Sequence, residues 1–495
     1  MTAPKPVATT FACLYLALAT PAAAAPASAI PGAGATLTLK DCRLTRPGSG
    51  GVAARCGELR VPEDYNEPQG RAIGLHVAVV PALGGGSGVE PLFVLAGGPG
   101  QAATAFYSAV APAFGAIART HDIVLVDQRG TGGSARLDCH FPDDFAARSP
   151  PPAEIARLSA QCLAALPHPP QYYTTSNAVR DLDAVRAALG YPSLSLYGAS
   201  YGTRVAQHYA RRYPHKVQAL ILDGVVPPQA VLGPAIAADA QRALALTLAR
   251  CRDRPECRQA FGDPADDLTS LQARLAKAPV SVSVADPSTA RPVTVQFGGA
   301  QLGSALRLLS YSAPSAALLP LLLHSAAGGD VGNLAAQYVL YSHELDEEIA
   351  YGMHNAVTCT EDVPYFGAAD RDAMARTYLG TTEFDALVAM CASWPRGARD
   401  ADLAEPLHSA VPALILSGEA DPVTPPANGE RAAQGFTDVV HLVLPGQGHG
   451  QLGTGCMPEL MARFLKSHTT RALDTRCVGR VTPAPFFLDY AGPAP

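Results

Sequence analysis

The sequence contains no Cys-x-x-Cys and no His-Glu-x-x-His. Ligand spacing of that kind marks zinc and zinc-hydrolase sites, so no metal and no cofactor is expected. It also lacks a basic run: 37 Lys and Arg stand against 43 Asp and Glu, a formal net charge of −6. Nothing in that balance draws the chain to nucleic acid. No fixed-period repeat and no long low-complexity tract occurs beyond the N-terminus, which speaks against a solenoid. After the first thirty residues no apolar run is long enough to span a bilayer, so no membrane partner is expected once a leader is removed. Nothing in the sequence specifies an oligomeric state.

What is present is a long chain with ample core-forming material. Its 495 residues are 48% hydrophobic, enough for one elaborate domain or two. The N-terminus reads as an export signal over residues 1–29. Lys5 gives a weak positive region, residues 7–20 an apolar one, and "PAAAAPASA" small residues for cleavage near Ala25 or Ala29. A membrane anchor is the rival, and the apolar run is short for it. Cys13 lies inside that run and leaves with the leader. Ten cysteines remain, an even count that suits an exported, disulfide-bearing chain, periplasmic or extracellular. Nearest-neighbour pairing gives Cys42 with Cys56, Cys139 with Cys162, Cys251 with Cys257, Cys359 with Cys391 and Cys456 with Cys477.

From about residue 72 apolar runs alternate with helical patterns, which predicts an α/β architecture: a mostly parallel sheet with flanking helices. Strands are expected at 72–80, 91–96, 122–127, 193–198, 217–224, 411–418 and 439–446. A helix over 176–190 is expected to be capped by Ser176 or Asn177 and closed by Gly190. A second follows Ser200 and must stop before Pro214. Residues 229–405 break the rhythm. They are Ala/Leu-rich and mainly helical, with one strand pair, and read as a cap over the sheet edge. The sheet-bearing core is then 30–228 and 406–495.

"LYGASYGTRVA" holds the only Gly-x-Ser-x-Gly. A free serine hydroxyl is a poor nucleophile. This motif matters only where a strand turns sharply into a helix, and here a β run precedes Ser200 and a helical pattern follows. The acid and base should come later in the chain, at strand carboxyl ends. Asp421 in "GEADPVTPP" and His449 in "PGQGHG" meet that order, with Glu419 a rival to Asp421. His449 would take the Ser200 proton and Asp421 would orient the imidazole. The amides of Tyr201 and of Gly98, in "GGPGQ", are the expected oxyanion donors.

Together "GGPGQ", "DQRGTGGS", "GASYG", "DPVTP" and "GHG" resemble the secreted tripeptidyl aminopeptidase and proline iminopeptidase branch of the α/β hydrolases. The resemblance covers nearly the whole chain after the leader. It implies an α/β-hydrolase fold with a large helical cap, and a serine exopeptidase acting on free N-termini of peptides. Two departures stand out. Ala96 precedes "GGPG" where the family often has His, and Ala199 and Tyr201 flank the serine where proline-specific members usually have Gly and Trp. An aminopeptidase must hold an ammonium group, and similar relatives carry an acidic segment like "TCTEDVPYF". Glu361 and Asp362 are therefore expected to bind the substrate amine. The other acidic cluster, 343–348, reads as a solvated helix face, and Arg129 as a loop brace. A carboxylesterase with the same triad, taking a small acyl substrate, is the alternative. A non-catalytic binding protein on a hydrolase fold is the alternative of another class.

Overall fold

The computed structural model describes residues 37–493 except 46–50, 86–87, 143–144 and 287–288. The expected leader, with Cys13, lies outside the described residues. Thirteen strands are described, eleven of which matter here. They are β1 Lys40–Leu44, β2 Val52–Pro62, β3 Ala72–Val80, β4 Leu92–Leu95, β5 Ile123–Val126, β6 Leu194–Ala199, β7 Val217–Asp223, β8 Val280–Ala285, β9 Pro292–Phe297, β10 Ala413–Gly418 and β11 Val439–Leu444. Nine form one sheet in the order β1-β2-β3-β5-β4-β6-β7-β10-β11. From β5 to β11 every pairing is parallel. The first three strands join antiparallel. This is the α/β-hydrolase arrangement.

The parallel strands are apolar on both faces, as burial between two helical layers requires. Side chains alternate across the sheet. Phe93 and Leu95 of β4 enter one core with Val179, Leu182 and Val205, while Leu92 and Val94 enter the other with Tyr107, Met461 and Phe464. β7 repeats the pattern, with Leu220 and Leu222 on the first side and Ala219 and Ile221 on the second. The seven strands expected from the sequence are all present, within a residue or two of their expected ends. β1 and β2 were not foreseen. β2, second from the sheet edge, interleaves Arg55, Glu58 and Arg60 with its buried positions, which masks its strand periodicity.

One cap assignment needs correcting. The helix Thr175–Ala188 is capped by Thr174, whose side chain accepts from the Asn177 amide, not by Ser176 or Asn177. Both of those lie inside the first turn. Gly190 follows the helix end at φ 78°, as a left-handed closing residue should.

Between β7 and β10 the chain leaves the sheet and builds a mainly helical cap with its own core. β8 and β9 form its antiparallel hairpin. The final segment, expected to stay with the sheet, returns to the cap: Phe486 packs with Cys251, Phe261 and Leu321. Ten cysteines join as five disulfides, each between sequence neighbours: Cys42–Cys56, Cys139–Cys162, Cys251–Cys257, Cys359–Cys391 and Cys456–Cys477. No described helix is long and apolar enough to cross a membrane.

Arg129 is fully buried. It holds both carboxylate oxygens of Asp181 at 2.6 Å and donates to the carbonyls of Pro62, Glu63 and Tyr172. One guanidinium thus ties the end of β2, the β5 loop and two later segments. Arg129→Met would strand the buried Asp181 charge. A loss of about 3–5 kcal/mol of stability is expected, read as a lower urea midpoint at unchanged slope.

Candidate active site

The carboxyl ends of β4, β6, β7, β10 and β11 line one edge of the sheet, and the motif residues gather there. Ser200 lies between β6 and the helix Tyr201–Arg212, at φ 53° and ψ −123°. That region is costly for a side-chain-bearing residue, of order 1–3 kcal/mol, and surrounding contacts hold it. A Cβ at Gly198 would sit 2.5 Å from the Gly202 carbonyl oxygen, and one at Gly202 2.6 Å from those of Leu95 and Ala96. Only glycines allow strand, turn and helix to cross so closely. The Ser200 amide donates to the Asp223 carbonyl at the end of β7.

Asp421 follows β10 and is fully buried. Its Oδ1 accepts the amides of Val423 and Thr424, each at 2.8 Å. Its Oδ2 accepts the Thr424 hydroxyl at 2.8 Å and faces His449 Nδ1 at 2.9 Å. The carboxylate is therefore fixed in one orientation, and its charge falls on the imidazole. The rival Glu419 is exposed and takes the Gly446 amide instead. His449 follows β11. Burial lowers its pKa, but the charge and hydrogen bond of Asp421, helped by Asp223, outweigh this and raise it above the usual histidine value.

Two residues that sequence reasoning passed over hold this arrangement. Thr424 Oγ1 lies 2.8 Å from Asp421 and 3.0 Å from His449 Nδ1. Asp223, last in β7, uses its carbonyl for Ser200 and its carboxylate for the amides of Gln451 and Leu452 just past His449. Tyr197 also donates to it. Burial lifts the Asp223 carboxyl to about 6. Its sequence signal was available: an acid closing the apolar run "ALILD".

The "GGPGQ" loop follows β4. A Cβ on Gly97 would lie 3.2 Å from Ser200 Cβ, so this loop borders the serine directly. The Gly97 amide is taken by Gln101 Oε1, leaving Gly98 as the next amide along the loop. The cap clamps the loop from above. His354 Nδ1 meets the Pro99 carbonyl at 3.1 Å, the Ala350 amide donates to Gly100, and Gln101 Nε2 donates to Glu348. Glu348 thus serves the loop, in contrast to the solvated face expected for 343–348.

The expected amine binders are placed otherwise than anticipated. Glu361 and Asp362 are both buried. Glu361 accepts the Thr175 amide and hydroxyl at 2.8 and 2.7 Å, and burial raises its carboxyl to about 7. Asp362 pairs with Arg204 at 2.9 Å and accepts the Leu232 amide. Both stand at the end of the helix Tyr351–Glu361, facing protein groups that already satisfy them. An incoming ammonium would have to break those bonds. The Tyr201 phenol joins the same network through Thr175 Oγ1 at 2.7 Å and Gln128 at 3.1 Å. That anchors the residue whose amide opens the helix after Ser200.

A half-buried serine in a strained turn, a carboxylate-bound histidine on the neighbouring strand ends and a glycine loop beside the serine define a class. The chain is a serine hydrolase of the α/β-hydrolase fold. Residues 90–248 match the alpha/beta hydrolase fold family, and residues 377–477 match the TAP-like protein family. The chain is 26% identical over 473 residues to the serine protease Hip1 of Mycobacterium tuberculosis, covering 86% of this chain and 87% of that protein. It is 26% identical to the tripeptidyl aminopeptidase of Streptomyces lividans, covering 87% and 85%. It is 28% identical to carboxylesterase B of Mycobacterium tuberculosis, covering 86% of each.

The coupling of Asp421 to His449 has a direct readout. In Asp421→Asn the main group raising the imidazole pKa is gone while burial still lowers it. The His449 titration midpoint, followed by NMR of the histidine ring, should fall below its wild-type value. A midpoint that stays or rises would show that the carboxylate does not govern this histidine.

Proposed function

We propose that the chain is an exported serine aminopeptidase that releases short units from free peptide N-termini through Ser200, His449 and Asp421. The observation that carries this reading is the Asp421–His449 bond at the same sheet edge as the strained Ser200 turn. In this reading residues 1–29 are a leader, 30–228 and 406–495 the catalytic core, and 229–405 the cap. The five disulfides support an oxidising compartment outside the cytoplasm.

The proposed reaction is acyl transfer through the serine. With Nδ1–H held by Asp421, His449 presents a basic Nε2. Ser200 Oγ attacks the scissile carbonyl carbon and passes its proton to Nε2. The amides of Gly98 and Tyr201 receive the oxyanion, each such donor being worth about 10²–10³ in rate. The C–N bond then breaks, and the departing amine takes the proton from His449. Water attacks the acyl ester, giving a proton to Nε2, which returns one to Ser200 as the short N-terminal unit leaves. Asp421 stays ionised throughout and stabilises the transient imidazolium.

A carboxylesterase is the second reading, favoured by the carboxylesterase B relative at comparable coverage. The two differ in the leaving group and in the need for a substrate ammonium.

Ser200→Ala should lower turnover of free-amine tripeptidyl chromogenic amides by about 10⁴-fold or more, with an unchanged circular dichroism spectrum. Retained turnover would sink the triad. Because the base must be neutral and its pKa is raised, kcat/KM should climb with pH along a limb centred above 6.5. N-acetylated peptides should react poorly. Acyl esters outpacing every free-amine amide would favour the esterase.

A further inference from the structure

The roof over His449 is built by the cap, and it contains a charged pair that the triad does not use. The helix Gly299–Leu309 ends at Ser310 and Tyr311 directly on the histidine loop. The Tyr311 carbonyl accepts the His449 amide at 2.7 Å. Its ring meets the imidazole edge-on at 5.3 Å between centroids. Arg307, one turn earlier, donates to the Tyr311 hydroxyl at 3.3 Å, and its charge reaches His449. Across from it stands Glu383, in the first turn of the helix Thr382–Cys391, 3.9 Å from the Arg307 guanidinium.

Glu383 differs from most of the carboxylates around it. Asp421, Asp223, Glu361, Asp362, Glu348 and Asp346 all accept hydrogen bonds from protein groups. Among the described residues Glu383 has only the long contact with Arg307, and about a third of its side chain is exposed. Its charge reaches Tyr311, which touches His449, and also His354, which touches the Pro99 carbonyl in the loop beside Ser200. Two buried polar groups nearby have no hydrogen-bond partner among the described residues. One is the Tyr378 hydroxyl, within reach of the Glu383 and Arg307 charges. The other is the whole Asn355 amide, next to His354 and 1% exposed. Buried polar groups of that kind are rare unless something else satisfies them. Asp239 is another carboxylate near the site, but the charges around it are those of Arg242, Asp421 and Arg431.

We infer that Glu383 is the residue that receives the substrate's α-ammonium group, held in place by Arg307. This rests on the aminopeptidase reading above. Arg307 positions the carboxylate, while the long 3.9 Å separation leaves its lone pairs open to a second cation. The Cys359–Cys391 disulfide ties the far ends of the helices that carry Asn355 and Glu383, fixing their spacing.

The test compares kcat/KM for a tripeptidyl chromogenic amide with a free N-terminus and for its N-acetylated twin. The variants are Glu383→Gln, Glu383→Asp and Asp239→Asn, and a fluorophosphonate probe reports folded protein. A charge-assisted contact of this kind corresponds to roughly a 10- to 100-fold preference. In Glu383→Gln the free-to-blocked ratio should collapse toward one, chiefly through KM. Should that variant fail to label, Glu383→Asp decides, since retracting the carboxylate must lower the ratio. A wild-type ratio retained in either Glu383 variant, or a collapse in Asp239→Asn instead, overturns the assignment to Glu383 alone. A wild-type enzyme that labels but shows no preference for the free amine overturns the aminopeptidase reading and this inference with it.

Discussion

The site depends on what one residue at the end of β7 does. Asp223 sits between the strand that leads to Ser200 and the two that lead to Asp421 and His449. Its carbonyl holds the Ser200 amide, and its carboxylate holds two amides of the histidine loop. These groups are hundreds of residues apart in sequence, and parallel strands alone bring their ends only to the same edge. Hydrogen bonds of fixed length, made by one side chain, set how far the serine turn stands from the histidine loop. Burial disfavours the ionised carboxyl, yet two backbone amides and the Tyr197 hydroxyl favour it. The compromise is a group near 6, costly to keep buried, and its cost is met by the order it imposes.

The cap extends the same logic. The helix Tyr351–Glu361 runs from the "GGPGQ" loop, through His354, to the buried charges Glu361 and Asp362. Arg204 answers those charges from the helix that follows Ser200. One cap helix is thus bonded to the loop before the serine and to the helix after it. Buried ion pairs of this kind add little net stability, and breaking one is expensive. Their effect here is to fix the cap on the core in one register. That register decides which cap residues overhang the serine.

The sheet was legible in the sequence because parallel strands buried on both faces read as short apolar runs ended by Gly, Pro or Asp. β1 and β2 were not, since antiparallel strands interleaved with charged residues carry no such run. Ser200, Asp421 and His449 could be picked out because each closes a strand in a fixed order. Glu361 and Asp362 drew attention as acids beside a cysteine. Local sequence could not show that Arg204 and Thr175, more than 150 residues earlier, already satisfy them. Arg307, Tyr311 and Glu383 sit in helices of ordinary composition, and their meeting depends wholly on how those helices pack. Thr424 was visible in "DPVTP" but had no assigned task until its hydroxyl was found against both Asp421 and His449.

One departure from the proline-specific pattern, Tyr201, now has a physical setting. Tyr201 is locked by its phenol to Thr175 and Gln128, under the cap and away from solvent. It spends its ring on holding the turn. In the aminopeptidase reading, selection at the serine falls to the cap, where Tyr311 meets His449 and Arg307 faces Glu383. An ion pair there can read a peptide's charged end. It has little with which to read the shape of a proline ring. Specificity in this molecule is therefore a property of how the cap helices are pinned, and the bonds that pin them begin at the residues flanking Ser200.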